Sequence, residues 1–324
     1  MNFPFKSTQK KLKSVKPYSF LFLVLFISLV FGCNKKAYIL EDGYPYILED
    51  GYIYVQKDGR EKIKESWTLV WQDEFNADEL DTTIWTKIDR WTDTDFQMPK
   101  EEWLSNLEKW KDVQNLNCFS YTTAHPDLYG FKDGMMILDG IVNKDTRSDP
   151  RPYLQGAVKS KRKFAFQYGR LEIRAKLEAA KGAWPAFWML SEKEIYEKLP
   201  HRNGEIDIME RLNHDDIVYQ TIHSHWTIEM KQKQNPPYSQ TAKFNPDDYN
   251  IFGLEWYPNK LVFTINGLIT HEYLKLEGVD AAQWPFDQPF YVMLDQQLGG
   301  GWVGEIDPDD LPAKVIIDWI RLYQ

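Results

Sequence analysis

The feature that most constrains the fold is a series of short apolar and aromatic runs separated by turn residues, from about residue 66 to the C-terminus. Examples are GMMILDGIV (134–142), YGRLEIRAKL (168–177), WPAFWML (184–190), GEIDIME (204–210), IVYQTIHSHW (217–226), YNIFGLEWY (249–257), KLVFTING (260–267), PFYVML (289–294) and KVIIDWIRLY (314–323). Many short strands with no long amphipathic helix between them predict an all-β sandwich, one domain over residues 66–324. EEWLSNLEKWKDVQ (101–114) predicts a helix in an inserted loop.

The segment GEIDIMER (204–211) combines apolar alternation with three acids. Successive strand residues point to opposite faces, so its two isoleucines share one face while Glu205 and Asp207 share the other. Strict alternation would place Glu210 on the apolar face. One extra residue, a β-bulge at Met209, returns Glu210 to the acidic face, and bulges are common beside active sites.

Three carboxylates on one face cannot all ionise without a free-energy cost, so we expect at least one raised pKa. With the bulge, Glu205 and Glu210 are roughly 13 Å apart between Cα atoms, because a strand rises about 3.3 Å per residue. Their side chains can close this to about 5–5.5 Å, the separation that retaining glycosidases use. A protonated acid beside a carboxylate suits glycosidic bond cleavage. A solvated acidic strand edge and a calcium site remain alternatives.

Composition narrows the choice of partners. The formal charge of −9 and the lack of a basic stripe argue against nucleic acid. The 13 tryptophans and 18 tyrosines exceed what a core requires, and their flat apolar faces stack on sugars as readily as they fill a core. If Cys33 carries lipid, Cys118 has no partner, so we expect no disulfide framework. The sequence also contains no cysteine or histidine spacing typical of a zinc site.

The N-terminus predicts an export signal over residues 1–32. A lysine-rich stretch precedes the apolar run from Tyr18 to Phe31, which is short for a membrane span but suits a signal segment. The run ends in LVFGC, which resembles a bacterial lipobox whose lipidated cysteine, here Cys33, becomes the first mature residue. We therefore expect a lipoprotein of the bacterial cell envelope that touches the membrane through its lipid only. An uncleaved signal anchor is the alternative.

Residues 33–65 are predicted to be a tether. They contain the repeat YILEDGYP, YILEDGYI, YVQKDG, with a period of eight residues. This period is too short for a solenoid unit. Each unit is a β-prone run ended by the turn signal Asp-Gly, which indicates a hairpin-like or extended spacer.

The chain from Trp67 to Gln324 resembles glycoside hydrolase family 16, the clan of laminarinases, lichenases, agarases, carrageenases and some endo-β-galactosidases. The matching segments, in family order, are WQDEFN (71–76), YGRLEIRAKL (168–177), KGAWPAFWML (181–190), GEIDIMER (204–211), DDYNIFGLEW (247–256), LGGGWVG (298–304) and IIDWIRLYQ (316–324). The resemblance implies a β-jelly-roll sandwich of the concanavalin A type with a concave substrate cleft. It also implies a glycan partner, a monomer, and catalysis without a cofactor.

The resemblance assigns roles to the three acids. Glu205 would be the nucleophile, Glu210 the general acid and then base, and Asp207 the carboxylate that hydrogen-bonds the nucleophile and tunes its charge. The mechanism would pass through a glycosyl-enzyme intermediate and retain configuration.

Further contacts follow from the same resemblance. Trp184 and Trp188 match aromatic residues that hold sugars on the non-reducing side of the substrate. His223 matches a cleft histidine that would hydrogen-bond near the acid/base, with a purely structural histidine as the alternative. Trp302 follows three glycines that let the backbone approach a ligand closely, so it is predicted to line the cleft. Asp318 matches an aspartate that binds a structural calcium ion on the convex face in many members.

Three departures from the laminarinase pattern bear on the substrate. The region 110–138 lacks an NNELQ-type motif, KLPHRN (198–203) replaces the usual Trp-Pro, and LDQQLGG (294–300) stands where laminarinases often have NLAVGG. Such loops and strand ends decide specificity. We therefore favour a β-galactoside, either an algal galactan or the poly-N-acetyllactosamine of O-glycans, over a β-1,3- or mixed-linkage glucan. An inactive glycan-binding lipoprotein and a transglycosylase remain as hypotheses of other kinds.

Overall fold

The computed structural model describes residues 67–117, 119–196 and 201–324 in full, and the backbone of three short strands before them. These strands are β1 (Lys36–Ile39), β2 (Pro45–Glu49) and β3 (Tyr52–Val55), and they pair as an antiparallel sheet in the order β1-β2-β3. β1 and β2 overlap the first and second repeat units, and β3 overlaps the end of the second and the start of the third. The predicted signal segment, Cys33 and Cys118 lie outside the described residues.

The unit Ser66–Gln324 consists of two antiparallel sheets. The first, here the cleft sheet, contains β5 (Thr86–Lys87), β9 (Ala157–Lys159), β10 (Ala165–Phe166), β12 (Ala183–Ser191), β13 (Glu205–Glu210), β14 (Ile217–His223), β15 (Ser239–Lys243) and β19 (Phe290–Leu298). Its order is β15-β14-β13-β12-β19-β9-β5, with β10 also paired to β19.

The second sheet, here the outer sheet, contains β4 (Leu69–Asp73), β6 (Tyr129–Lys132), β7 (Met135–Val142), β8 (Tyr153–Gln155), β11 (Gly169–Leu177), β16 (Asn250–Tyr257), β17 (Lys260–Ile265), β18 (Leu268–Leu274) and β20 (Ala313–Tyr323). Its order is β18-β17-β16-β11-β20-β7-β6, with β4 paired to β20 and β8 to β7. The predicted all-β sandwich is confirmed.

The two sheets enclose a common apolar core. Its fully buried side chains include Phe187, Met189, Ile206, Ile208, Val292 and Leu294 from the cleft sheet and Leu171, Ile173, Phe252, Leu254, Trp256 and Ile317 from the outer sheet. Burying each such side chain contributes about 1.5–3 kcal/mol. This burial explains why alternate positions on β11 and β13 are apolar, and it turns the polar residues of β13 away from the core.

The helix predicted for residues 101–114 is wrong as a single element. It is divided into α1 (Lys100–Ser105), α2 (Leu107–Trp110) and a 3-10 turn. The break lies at Asn106, because the side chains of Ser105 and Asn106 both donate to the carbonyl of Glu102 and compete with the helical backbone bonds. Among the described residues, no helix has the length and apolarity to span a bilayer.

The strand predicted for residues 217–226 is also shorter than expected. It ends at His223, and Ser224 caps the short helix α3 (His225–Ile228) by accepting from the backbone N–H of Thr227. His225 therefore leaves the strand and does not share the face of His223.

Gly204 sets the direction in which the chain enters β13. Its φ is +78°, in the left-handed region that favours glycine, and a Cβ there would lie 2.6 Å from Pro285 Cγ and 2.9 Å from Phe286 Cε1. The close packing of these rings leaves no room for a methyl group. Gly278 has nearly the same φ, +77°, but in the part of the chain that the structure describes no atom lies within 4 Å of its ideal Cβ.

We expect Gly204→Ala to lower the free energy of unfolding by about 2–5 kcal/mol, from backbone strain plus overpacking. Gly278→Ala should cost only the strain, about 1 kcal/mol. Urea denaturation of both variants measures the difference. Equal losses would show that packing around Gly204 does not restrain the start of β13.

Candidate active site

A bulge in β13 brings the three acids to one face of the cleft sheet. Asp207 pairs with Thr221 and Glu210 with Tyr219 on β14, so two residues of β13 stand opposite one residue of β14. The two residues between the acids are both fully buried in the core. This places Glu210 beside Glu205 and Asp207 rather than in the apolar interior, as predicted from the sequence.

The acids lie in a cavity of about 720 Å³. It is lined by Trp184, Ala186, Trp188, Glu205, Asp207, Glu210, Tyr219, Thr221, His223, Tyr238, Ser239, Gln240, Thr241, Gln297 and Trp302. The structure therefore brings all four predicted sugar-contact residues to the same cavity as the three acids.

Glu210 is placed to keep a proton. Its side chain is 8% exposed, and its Oε1 accepts a hydrogen bond of 3.1 Å from the indole N–H of Trp184. Burial raises the pKa of Glu210 well above its usual value, and the negative charge of Asp207 raises it further. The Trp184 bond acts in the opposite direction but is outweighed. A buried carboxyl of this kind suits a general acid.

Glu205 and Asp207 form the second part of the acid cluster. Burial is the main cause that raises the pKa of each to about 8, and the charge of Asp207 adds to the effect on Glu205. The two side chains interact by a hydrogen bond that favours the charged form of Asp207 and the protonated form of Glu205. Since the sites interact, the protons belong to the cluster as a whole.

His223 lies at the Glu205 end of the cluster. It pairs with Glu205 across the strands, and its Nε2 is 3.1 Å from Asp207 Oδ2 and 4.0 Å from Glu205 Oε1. His223 was predicted to hydrogen-bond near the acid/base, and the structure instead places it beside Asp207. Among the described residues, Glu205, Asp207 and His223 are also the group whose ligand atoms, all within 4.8 Å of one another, lie close enough together to hold a metal ion. Calcium prefers oxygen ligands only, so a set with an imidazole does not match it.

The aromatic residues differ in how much surface they offer. Trp302 is 47% exposed and makes edge contacts with Trp184 at 5.3 Å and Tyr219 at 4.9 Å between ring centroids. Trp188 is only 8% exposed and stacks on Phe119 at 6.0 Å. Trp302 and Trp184 thus form an accessible wall, while Trp188 belongs mainly to the floor.

Sequence reasoning missed two polar residues of the floor, Asp295 and Gln297. Asp295 is fully buried, and its carboxylate accepts from Trp188 Nε1 at 2.7 Å and from Gln297 Nε2 at 2.8 Å. Burial raises the pKa of Asp295 to about 7. The polar triplet DQQ, directly after the apolar run of β19, could have indicated these residues. β19 is buried along its whole length and has no solvated face for polar side chains.

Two segments that depart from the laminarinase pattern meet beside the cavity. Leu116 belongs to the first, and its Cδ1 lies 3.0 Å from an ideal Cβ at Gly299, which belongs to the second. In the same way, Gln114 Oε1 lies 3.1 Å from an ideal Cβ at Gly301. Phe119 extends the contact to Trp188. The segment 110–138 therefore packs against Trp188 and against the glycine run that precedes Trp302, two aromatic residues of the cavity.

Asp318, predicted to bind structural calcium, is instead paired with a cation of the chain itself. It is the extra residue at an irregularity between β11 and β20, and its carboxylate forms an ion pair with the guanidinium of Arg174. Arg174 also lies over the ring of Tyr249 at 4.5 Å. A guanidinium in this place does not fit a calcium site, so we assign no role to calcium.

We expect Glu210→Gln to raise the melting temperature at pH 8 by about 2–6 °C but to leave it nearly unchanged at pH 4. The folded chain holds a proton on Glu210 that the unfolded chain releases above the ordinary pKa of 4.5, so stability falls as pH rises beyond that value. The amide removes this dependence and still accepts from Trp184.

Thermal unfolding at both pH values measures the effect. Glu108→Gln is the control, because that side chain is 84% exposed and its pair with Lys111 is on the surface. A Glu210→Gln shift of equal size at pH 4 and pH 8 would contradict a proton held on Glu210.

Comparison with known proteins was made on both sequence and fold. The profile described as Glycosyl hydrolases family 16 matches residues 134–321. Keratan-sulfate endo-1,4-beta-galactosidase of Sphingobacterium multivorum is 30% identical over 315 residues, 97% of this chain and 68% of that protein. Beta-glucanase of Rhodothermus marinus is 29% identical over 272 residues, 80% of this chain and 85% of that protein. The solved laminarinase from Rhodothermus marinus matches with a TM-score of 0.66 and 25% identity, covering 80% of this chain and 98% of that one.

Proposed function

The chain belongs to glycosyl hydrolase family 16 and cleaves glycosidic bonds, and on that premise we propose that Glu205 is its nucleophile and Glu210 its acid/base. The observation that carries this assignment is the bulged strand that gathers three carboxyls, two of them buried and that of Glu205 partly exposed, at the cavity floor. A glycan-binding protein without activity has no use for such crowding, because it lowers stability without adding a contact.

In the first step, Glu205 passes its proton to Asp207, with which it shares a hydrogen bond, and attacks the anomeric carbon as a carboxylate, forming a carbon–oxygen bond to it. Glu210 gives its proton to the glycosidic oxygen as the bond between that oxygen and the anomeric carbon breaks, so the leaving sugar departs as a neutral alcohol. The raised pKa of Glu210 supports this role, because the acid must be protonated when substrate binds.

In the second step, Glu210 is ionised and takes a proton from water, whose oxygen attacks the anomeric carbon. The bond to Glu205 breaks, which returns Glu205 as a carboxylate and completes two inversions, hence overall retention. Asp207 contacts Glu205, and its Oδ2 lies 3.1 Å from His223 Nε2. Asp207 and His223 together can therefore adjust the charge on the nucleophile between the steps.

For the substrate, we propose an internal β-galactosidic linkage, in an algal galactan or in poly-N-acetyllactosamine of O-glycans. The similarity to a keratan-sulfate endo-β-galactosidase supports this choice, as does the divergence from the laminarinase pattern of the segment that packs against Trp188 and the glycine run before Trp302. A β-1,3- or mixed-linkage glucan is the second candidate, which the similarity to a beta-glucanase and a laminarinase supports.

We also propose that the enzyme is a lipoprotein of the bacterial cell envelope, attached through Cys33. The support is the lysine-rich and apolar segment that ends in LVFGC. Residues 33–65 would then separate the catalytic unit from the membrane.

The substrate is tested by incubating the purified protein with laminarin, lichenan, agarose, porphyran, keratan sulfate and mucin O-glycans, and identifying the released oligosaccharides by mass spectrometry. We expect internal cleavage of a galactoside and a loss of at least about 10³-fold in Glu205→Gln, because the amide is a poor nucleophile. Near-wild-type turnover in that variant would overturn the nucleophile assignment. Longer products formed with excess acceptor sugar would identify a transglycosylase.

Glu210→Ala tests the acid/base. We expect turnover of natural glycans to fall about 10²–10⁴-fold, while the first step on aryl glycosides with activated leaving groups changes far less, because such groups depart without a proton. Burst kinetics separates the two steps. Glu192→Ala, an acid outside the cavity, serves as the control. Equal losses on both kinds of substrate would remove Glu210 from the acid role.

A further inference from the structure

Gln297 presents an acceptor without a partner at the cavity. The residue is 2% exposed and lines the cavity, and its Nε2 donates to Asp295 Oδ1, yet its Oε1 is buried with no hydrogen-bond partner among the described residues. A buried amide oxygen in this state costs about 1–3 kcal/mol, and such exceptions in folded proteins call for an explanation. A donor that arrives with the substrate supplies one.

Asp295 determines which end of that amide is free. Above its pKa of about 7, Asp295 is ionised and only accepts hydrogen bonds, so Gln297 must turn its nitrogen toward Asp295 and its oxygen away. The second oxygen of Asp295 is engaged by the indole N–H of Trp188. The carboxylate therefore has both oxygens in use and cannot rotate to release the amide.

The position of Gln297 places this oxygen near the reacting sugar. Gln297 pairs directly with Trp184 across β19 and β12, and side chains paired in this way have Cβ atoms about 4.5–5.5 Å apart. Trp184 in turn donates to Glu210. A sugar that packs on the Trp184 ring carries its hydroxyls around the ring edge, where Gln297 Oε1 is within reach.

We propose that Gln297 is a specificity-determining residue whose Oε1 accepts a hydrogen bond from one substrate hydroxyl, and that Asp295 is the positioning residue that keeps this oxygen free. This inference rests on the proposed function, because it names a contact to the same glycan. It adds a requirement for a donor at one position of the sugar beside the cleaved bond. A sugar that lacks this hydroxyl leaves the amide oxygen unpaired and is rejected.

The test compares Gln297→Met with the matched control Gln296→Met. Gln296 is the neighbouring residue of the same type, and its Oε1 also has no partner within the described ranges, but its side chain lies against the outer sheet, with Cγ 3.2 Å from an ideal Cβ at Gly140. Each protein is assayed on a poly-N-acetyllactosamine oligosaccharide and its monodeoxy analogues, or on the laminarin series if wild type cleaves only glucan.

We expect wild type to lose about ten- to a hundredfold in kcat/KM on one monodeoxy analogue. Gln297→Met should lose a similar factor on the parent sugar and nothing further on that analogue, while Gln296→Met keeps the wild-type pattern. Equal losses of Gln297→Met on every analogue, or no loss, would overturn the inference. If wild type cleaves no glycan at all, the proposed function itself fails, which is a different result.

Asp295→Asn tests the positioning role. The asparagine must use its oxygen to accept from Trp188, so its NH₂ faces Gln297 and turns that amide over, which exposes nitrogen to the sugar. We expect the variant to lose discrimination against the deoxy analogue and to favour the deoxyfluoro analogue, which accepts but does not donate, by about threefold or more over the deoxy one. Combined with Gln297→Met, it should show no preference. An unchanged selectivity in Asp295→Asn would refute the positioning role.

Discussion

The rest of the site depends on the bulge in β13. It lets two consecutive side chains enter the core, so that Glu210 returns to the face of Glu205 and Asp207. Without the extra residue, strand pairing would bury Glu210 between the sheets, where a carboxyl has no partner. The backbone irregularity therefore creates the acid cluster, and core packing holds it in place from behind.

The neighbouring strands complete the cluster from both sides. On β14, His223 contacts Asp207, and on β12, Trp184 donates to Glu210. Beyond β12, the polar residues of β19 support the floor through the bond between Asp295 and Trp188. Each strand thus contributes a group that orients a carboxyl or an aromatic ring, and the site is built on strands rather than on loops, which favours a rigid geometry.

The sandwich and the acid cluster could be predicted because both follow from local alternation in the sequence. The division of the predicted helix at Asn106, the departure of His225 from its strand and the pairing of Asp318 with Arg174 could not, since each depends on side-chain hydrogen bonds or cross-strand register. Asp295 was missed for the same reason. Its role appears only when β12 and β19 are side by side and Trp188 is covered by the inserted segment.

The crowding of carboxyls that weakens the folded chain has a second consequence. Three acids crowded on one face of the cavity create a strongly negative potential, which holding protons relieves. A sugar ring that acquires oxocarbenium character relieves it as well, because positive charge then develops between Glu205 and Glu210. The repulsion among the carboxyls of the free enzyme thus becomes an attraction for the positively charged sugar in the transition state.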